Sequence, residues 1–146
     1  MTTIHKEIVI SASPEGIFEI LDDPEAVLRY GPGVTRVSDV QRSEGRIGDS
    51  TRLTYSVMGL RFPMKFTTLE YSKPSKILAR MEGGMRGTFG WNLKPEGSTT
   101  RVALDIDYQM RGGILGKVMD RVLVERMNEK NAERMLENLA LLAQYK

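Results

Sequence analysis

Residues 85–110 read MRGTFGWNLKPEGSTTRVALDIDYQM. Met85, Gly87, Phe89, Trp91 and Leu93 alternate with Arg86, Thr88, Gly90, Asn92 and Lys94. After Pro95-Glu96-Gly97-Ser98, a second run begins: Val102, Leu104, Ile106, Tyr108 and Met110 alternate with Ala103, Asp105, Asp107 and Gln109. Successive side chains of a strand point to opposite faces. Each run therefore reads as a strand with one apolar and one mostly polar face, and the turn residues between them make a hairpin.

The same alternation extends upstream. Thr51, Leu53, Tyr55 and Val57 share one phase, as do Phe62, Met64, Phe66 and Thr68, then Ile77, Ala79 and Met81. Met58-Gly59, Lys73-Pro74-Ser75 and Gly83-Gly84 divide them, and a less regular strand, Val34 to Gln41, comes before. Strands joined in series by hairpin-length turns form an antiparallel meander. Ahead of the meander, Thr3 to Ile10 is rich in β-branched residues and reads as a first strand. Ser13-Pro14 then signals an N-cap followed by proline at the first helical position. Ile17, Phe18, Ile20 and Leu21 give that short helix its apolar face. Asp23-Pro24 repeats the signal, and Tyr30-Gly31-Pro32-Gly33 ends a second short helix.

From about Ile114 to Gln144 the chain predicts one long helix, approached through Gly112-Gly113. The expected order is strand, two short helices, six strands, long helix. A single antiparallel sheet has one face to bury, and only the long helix is large enough to cover it. The expected fold is α+β, one domain over residues 1–146: a curved seven-stranded antiparallel sheet wrapped around the C-terminal helix.

Composition limits the chemistry. The 146 residues contain no cysteine and one histidine, His5. Disulfides, thiol nucleophiles and Cys/His zinc sites are excluded. A Ser-His-Asp triad would have to use His5 near the start of the first strand, a poor place for a general base. Lys and Arg total 21 against 19 Asp and Glu, a formal charge of +2, too small to imply nucleic acid. No cofactor or metal is expected. The N-terminus lacks a basic, apolar leader, no stretch approaches the ~18 apolar residues of a membrane span, and the cysteine-free composition fits the cytoplasm.

The apolar sheet face gathers Tyr55, Phe62, Phe66, Phe89, Trp91 and Tyr108 with Met64, Met81, Met85 and Met110. A packed core explains any one aromatic. The set also has polar handles, since buried Tyr and Trp need hydrogen-bond partners, and methionine suits surfaces that repack around variable ligands. Gly87 leaves space on this face. On the long helix, Val124, Met127, Met135, Leu139 and Leu142 form an apolar stripe at about 100° per residue. Asn128 and Asn131 lie inside it. An unpartnered amide in a dry core is costly, so these meet water, a strand polar group or a ligand. The candidate ligand-binding residues are Tyr55, Phe66, Met81, Phe89, Trp91, Tyr108, Met127, Asn131 and Met135, with Thr68 a further inward polar group. No catalytic residue is assigned.

Leu115, Val118, Met119, Val122 and Leu123 fall half a turn off the stripe, which points to a sheet edge, a partner or the cavity mouth. Asp105 and Asp107 share the strand face opposite Leu104, Ile106 and Tyr108, so they are expected in solvent. Glu70 follows the inward phase of its strand and is a weak catalytic candidate. Arg42, Arg46 and Arg52 are expected to be solvated.

Several local phrases, taken in this order, resemble a known family. They are the opening strand before Ser13-Pro14-Glu15-Gly16-Ile17-Phe18-Glu19-Ile20-Leu21, then Asp22-Asp23-Pro24-Glu25, the Pro32-Gly33-Val34 step, Gly97-Ser98-Thr99-Thr100-Arg101-Val102, and the Gly112–Gly116 approach to a long helix. Together they resemble the START-like, Bet v 1-like helix-grip superfamily, and within it the polyketide cyclase/dehydrase and coenzyme Q-binding group. The resemblance covers essentially the whole chain and is structural rather than catalytic. It implies a cavity between sheet and helix that takes lipids, polyketides, quinones, sterols or plant hormones. Some members cyclise or dehydrate a polyketide, and others only carry or sense a ligand. The expected function is binding of a small hydrophobic ligand as carrier or sensor. The alternatives are a polyketide cyclase/dehydratase, with Tyr55 or Tyr108 as acid, and an interaction module or homodimer using the off-phase helix residues.

Overall fold

The computed structural model describes residues 1–110 and 121–145. In chain order these form β1 (Thr2–Ile10), α1 (Pro14–Asp22), a 3-10 turn (Pro24–Ala26) running into α2 (Val27–Tyr30), then β2 (Val34–Gln41), β3 (Ser50–Val57), β4 (Leu60–Ser72), β5 (Lys76–Gly83), β6 (Met85–Glu96), β7 (Thr99–Met110) and α3 (Arg121–Gln144). Gly112-Gly113, the expected first turns of the long helix, and Leu115, Val118 and Met119 lie outside the described residues.

The capping signals act as read. The Ser13 side chain accepts the Gly16 amide at 3.1 Å, and that of Asp23 accepts the Glu25 amide at 3.1 Å. Each satisfies an amide that the first helical turn leaves without a partner. The strands form one antiparallel sheet in the order β1-β7-β6-β5-β4-β3-β2. The meander accounts for every neighbour except β1, which pairs with β7 in the register Ile4↔Ile106 and Ile8↔Val102. This pairing brings the chain's first strand beside its last.

α3 crosses the concave face and is tied to β1. Lys6 Nζ reaches Glu129 Oε1 at 2.8 Å and Glu133 Oε1 at 2.9 Å, and Thr2 Oγ1 donates to Glu125 Oε1 at 2.9 Å. Such half-exposed ion pairs fix orientation more than they stabilise. The buried line of α3 is Val124, Asn128, Ala132, Leu136, Leu139 and Ala140. This differs by one residue from the predicted stripe: Met127, Asn131, Met135 and Leu142 sit on its half-buried flank. Steps of four residues through Asn128 and Ala132 place small side chains towards the sheet. Val122 is 57% exposed and Leu123 39% exposed.

Three surface expectations change in detail. Glu70 is exposed and pairs with Lys76 Nζ at 2.6 Å, because a β-bulge between Thr68 and Glu70 breaks the inward phase. Arg52 is solvated as expected, but Arg42 and Arg46 fold over the Asp22 carboxylate. Asp105 and Asp107 lie on the outer face, where they meet His5 and Thr3 of β1.

Candidate functional site

A cavity of about 220 Å³ lies between the concave sheet face and α3. Its sheet wall is aromatic. Phe66 and Phe89 meet edge to face at 5.5 Å between ring centroids, Phe89 and Trp91 at 5.8 Å, and Trp91 and Tyr30 at 6.1 Å. Strand periodicity places Phe89 and Trp91 on one face, and the Phe66↔Met81 register brings β4 and β5 into the same wall. α1, the 3-10 turn and α2 close one end through Leu21, Pro24, Val27 and Tyr30.

Tyr55, Phe66, Met81, Phe89, Trp91, Tyr108, Asn131 and Met135 all line this cavity. Met127 does not. It packs half-buried against the core beside the lining, because the helix is rotated towards Asn128 and Ala132. Thr68 lies in an adjoining lobe. The residue pattern alone does not single out Asn128, Ala132, Met64, Met85 and Tyr30 as site residues. Asn128 carries a usable signal as an amide inside an apolar stripe. For Tyr30 the only signal is an aromatic just before Gly31-Pro32-Gly33.

Two tyrosines and two asparagines of the cavity form one hydrogen-bonded chain. Asn131 Nδ2 donates to the Tyr55 hydroxyl at 2.8 Å, and Tyr55 donates to Asn128 Oδ1 at 2.7 Å. Asn128 Nδ2 donates in turn to the Tyr108 hydroxyl at 2.9 Å and approaches Met85 Sδ at 3.9 Å. This is why an amide 8% exposed is tolerated on the buried helix face. Burial raises the pKa of both Tyr55 and Tyr108, outweighing the hydrogen bonds from Asn131 and Asn128 that oppose it. Both phenols are therefore protonated at neutral pH. No Asp, Glu, Lys, Arg or His is among the cavity-lining residues described. No group of three His, Cys, Asp or Glu able to hold a metal occurs among the described residues.

Replacing Asn128 tests this network. Asn128→Leu keeps the volume but removes the acceptor of Tyr55 and the donor to Tyr108. The expected loss is about 2–3 kcal/mol of stability, against about 1 kcal/mol for Tyr55→Phe. Urea unfolding of the two variants makes the comparison, and equal losses would contradict the central place of Asn128.

A curved sheet holding a long helix recurs in known proteins. The model of the family described as polyketide cyclase / dehydrase and lipid transport matches residues 1–144. The chain belongs to this family. Its fold recurs in TTHA0849 from Thermus thermophilus, with a TM-score of 0.80, 26% identity and 97% of each chain covered. It recurs in the Zhui aromatase/cyclase from Streptomyces sp. R1128, at 0.78 and 15% identity over 97% of this chain and 93% of that one. A START superfamily protein from Mycobacterium smegmatis aligns at 0.70 and 20% identity over 94% and 91%. No curated protein matches the chain. The family's helix-grip architecture is thus present here, a seven-stranded sheet holding a long C-terminal helix. Among the described residues, no helix is long and apolar enough to cross a membrane.

Proposed function

We propose that this family member binds one small, largely apolar molecule in its sheet–helix cavity, as a carrier or sensor, and catalyses no reaction on it. The observation that carries this reading is the uncharged cavity in which Asn131 donates to Tyr55, Tyr55 to Asn128 and Asn128 to Tyr108. General acid–base catalysis favours a group whose pKa lies near the working pH. Tyr55 and Tyr108 are moved away from it, and the Tyr55 proton is already engaged by Asn128. A cyclase using Tyr55 as acid would first have to break this network.

The volume, about 220 Å³, lies below the ~300–1,000 Å³ common for drug-sized ligands. That favours a compact lipid fragment, a quinone ring or a short polyketide-like molecule over a large sterol. Edge-to-face rings and methionines supply dispersion contacts with few directional demands. Native mass spectrometry of protein taken directly from cells should show one bound small molecule. Thermal shift with quinones, fatty acids and sterols should then rank their fit. Protein that carries nothing and shifts with none of them would overturn the reading.

A further inference from the structure

The hydrogen-bonded chain across the cavity has a direction, and that direction leaves one end unused. Tyr55 has a single hydroxyl hydrogen, which it gives to Asn128 Oδ1 at 2.7 Å. Towards Asn131 its oxygen is therefore an acceptor, and it takes Nδ2 at 2.8 Å. Asn128 holds this direction. Its Nδ2 faces the Tyr108 hydroxyl at 2.9 Å and Met85 Sδ at 3.9 Å, and a thioether sulfur only accepts. Reversing the chain would set Asn128 Oδ1 against that sulfur.

An amide carries its oxygen and its nitrogen on different sides of one carbon. With Asn131 Nδ2 held on Tyr55, Oδ1 is held facing away from it. Asn131 Oδ1 receives no hydrogen bond from a described residue, yet it is not sealed off. Among the described residues, the side-chain atoms both buried and without a partner are Arg46 Nε and Asp49 Oδ2. Asn131 itself lines the cavity from the half-buried flank of α3. The result is an open acceptor whose facing is fixed by Tyr55 and Asn128.

An open acceptor selects its partner. A hydroxyl donates to it. An ether, a ketone or a quinone offers only lone pairs and brings two acceptors together. A carboxylate does the same and adds the cost of burying a charge in an apolar space, a cost an ammonium shares. The edge-to-face rings of Phe66, Phe89 and Trp91 favour an aromatic body.

We propose, on the strength of the ligand-binding reading above, that Asn131 is the specificity-determining residue of the cavity and that its ligand is a neutral phenol, whose hydroxyl donates to Asn131 Oδ1 while its ring packs on the aromatic wall. Tyr55 and Asn128 are positioning residues that hold the acceptor towards the ligand. The cavity prefers a phenol to a quinone or an ether of similar shape.

The test is displacement of the uncharged dye N-phenyl-1-naphthylamine by 4-butylphenol, 4-butylanisole and butylbenzene. The first donates a hydrogen bond, the second only accepts one, and the third does neither. In the wild-type protein 4-butylphenol should bind more tightly than the more hydrophobic 4-butylanisole, a comparison that needs no variant. Asn131→Leu keeps the bulk and removes the acceptor. The ratio of phenol to anisole affinity should then fall on the order of tenfold, while butylbenzene holds its affinity. A residue that only shapes the cavity would move all three together. Tyr55→Phe keeps Asn131 but frees its amide to turn, so the anisole should gain on the phenol. Thermal melts confirm that each variant is folded. If the dye does not bind, or none of the three displaces it, the cavity reading fails and this proposal with it. If they displace it but the anisole binds the wild-type protein as tightly as the phenol, or the ratio survives Asn131→Leu, the role of Asn131 alone is overturned.

Discussion

Gly87→Ala melts about 10 °C below the wild-type protein, the shift expected for a loss of about 3 kcal/mol in a chain of this size. Gly87 has a φ of +153°, and a Cβ built on it would lie 1.8 Å from the Asp107 carbonyl oxygen and 2.9 Å from the Tyr108 Cα. No side-chain adjustment relieves this, since both are backbone atoms. β6 would have to withdraw from β7 at the Gly87↔Tyr108 pair. That withdrawal reaches the cavity, because Tyr108 carries the hydrogen bond from Asn128. Gly59→Ala is the control. Gly59 has a φ of +77°, but a Cβ added there meets nothing within 4 Å, so only backbone strain of about 1 kcal/mol applies. Circular dichroism melts separate the two, and a Gly87→Ala midpoint as high as that of Gly59→Ala would refute the close-approach argument.

Ala132→Phe weakens ligand binding on the order of 100-fold and leaves the fold intact. Ala132 is 2% exposed on the buried face of α3 and lines the cavity, so a ring added there enters a space of about 220 Å³. Any molecule held by the aromatic wall then loses most of its room. The affinity for N-phenyl-1-naphthylamine should fall on the order of 100-fold, equivalent to ~2.7 kcal/mol. Filling an existing void costs little, unlike overpacking a close-packed core, so the melting temperature should stay level or rise slightly. Dye titration and a melt on the same sample read both effects. Undiminished binding by the folded variant would place the ligand elsewhere.

Much of this architecture is legible in local patterns. The alternation in β6 and β7 needs only a period of two, and Ser13-Pro14 and Asp23-Pro24 need only the capping rule. The aromatic wall follows from the same periodicity, because Phe89 and Trp91 must share a face wherever β6 goes. Helix rotation is less legible. Met127 and Asn128 differ by one residue, or about 100° around α3, and the hydrophobic count favours Met127. Asn128 on α3 meets a pair of tyrosines across the cavity, on β3 and β7, which no window of sequence contains. Glu70 illustrates a second gap: one bulge reverses the facing of a residue without changing the pattern around it.

The order of elements, the apolar sheet face and the lack of any thiol are all written in the linear chain, because each depends on residue type and on neighbours close in sequence. The folded chain alone settles that Tyr55, Asn128, Asn131 and Tyr108 join in one hydrogen-bonded chain, and that Asp22 in α1 gathers Arg42 and Arg46 from the segment after β2. These meetings depend on where the strands curve and how the helix is rotated. Both are set by packing summed over the whole chain, and no short stretch records that sum.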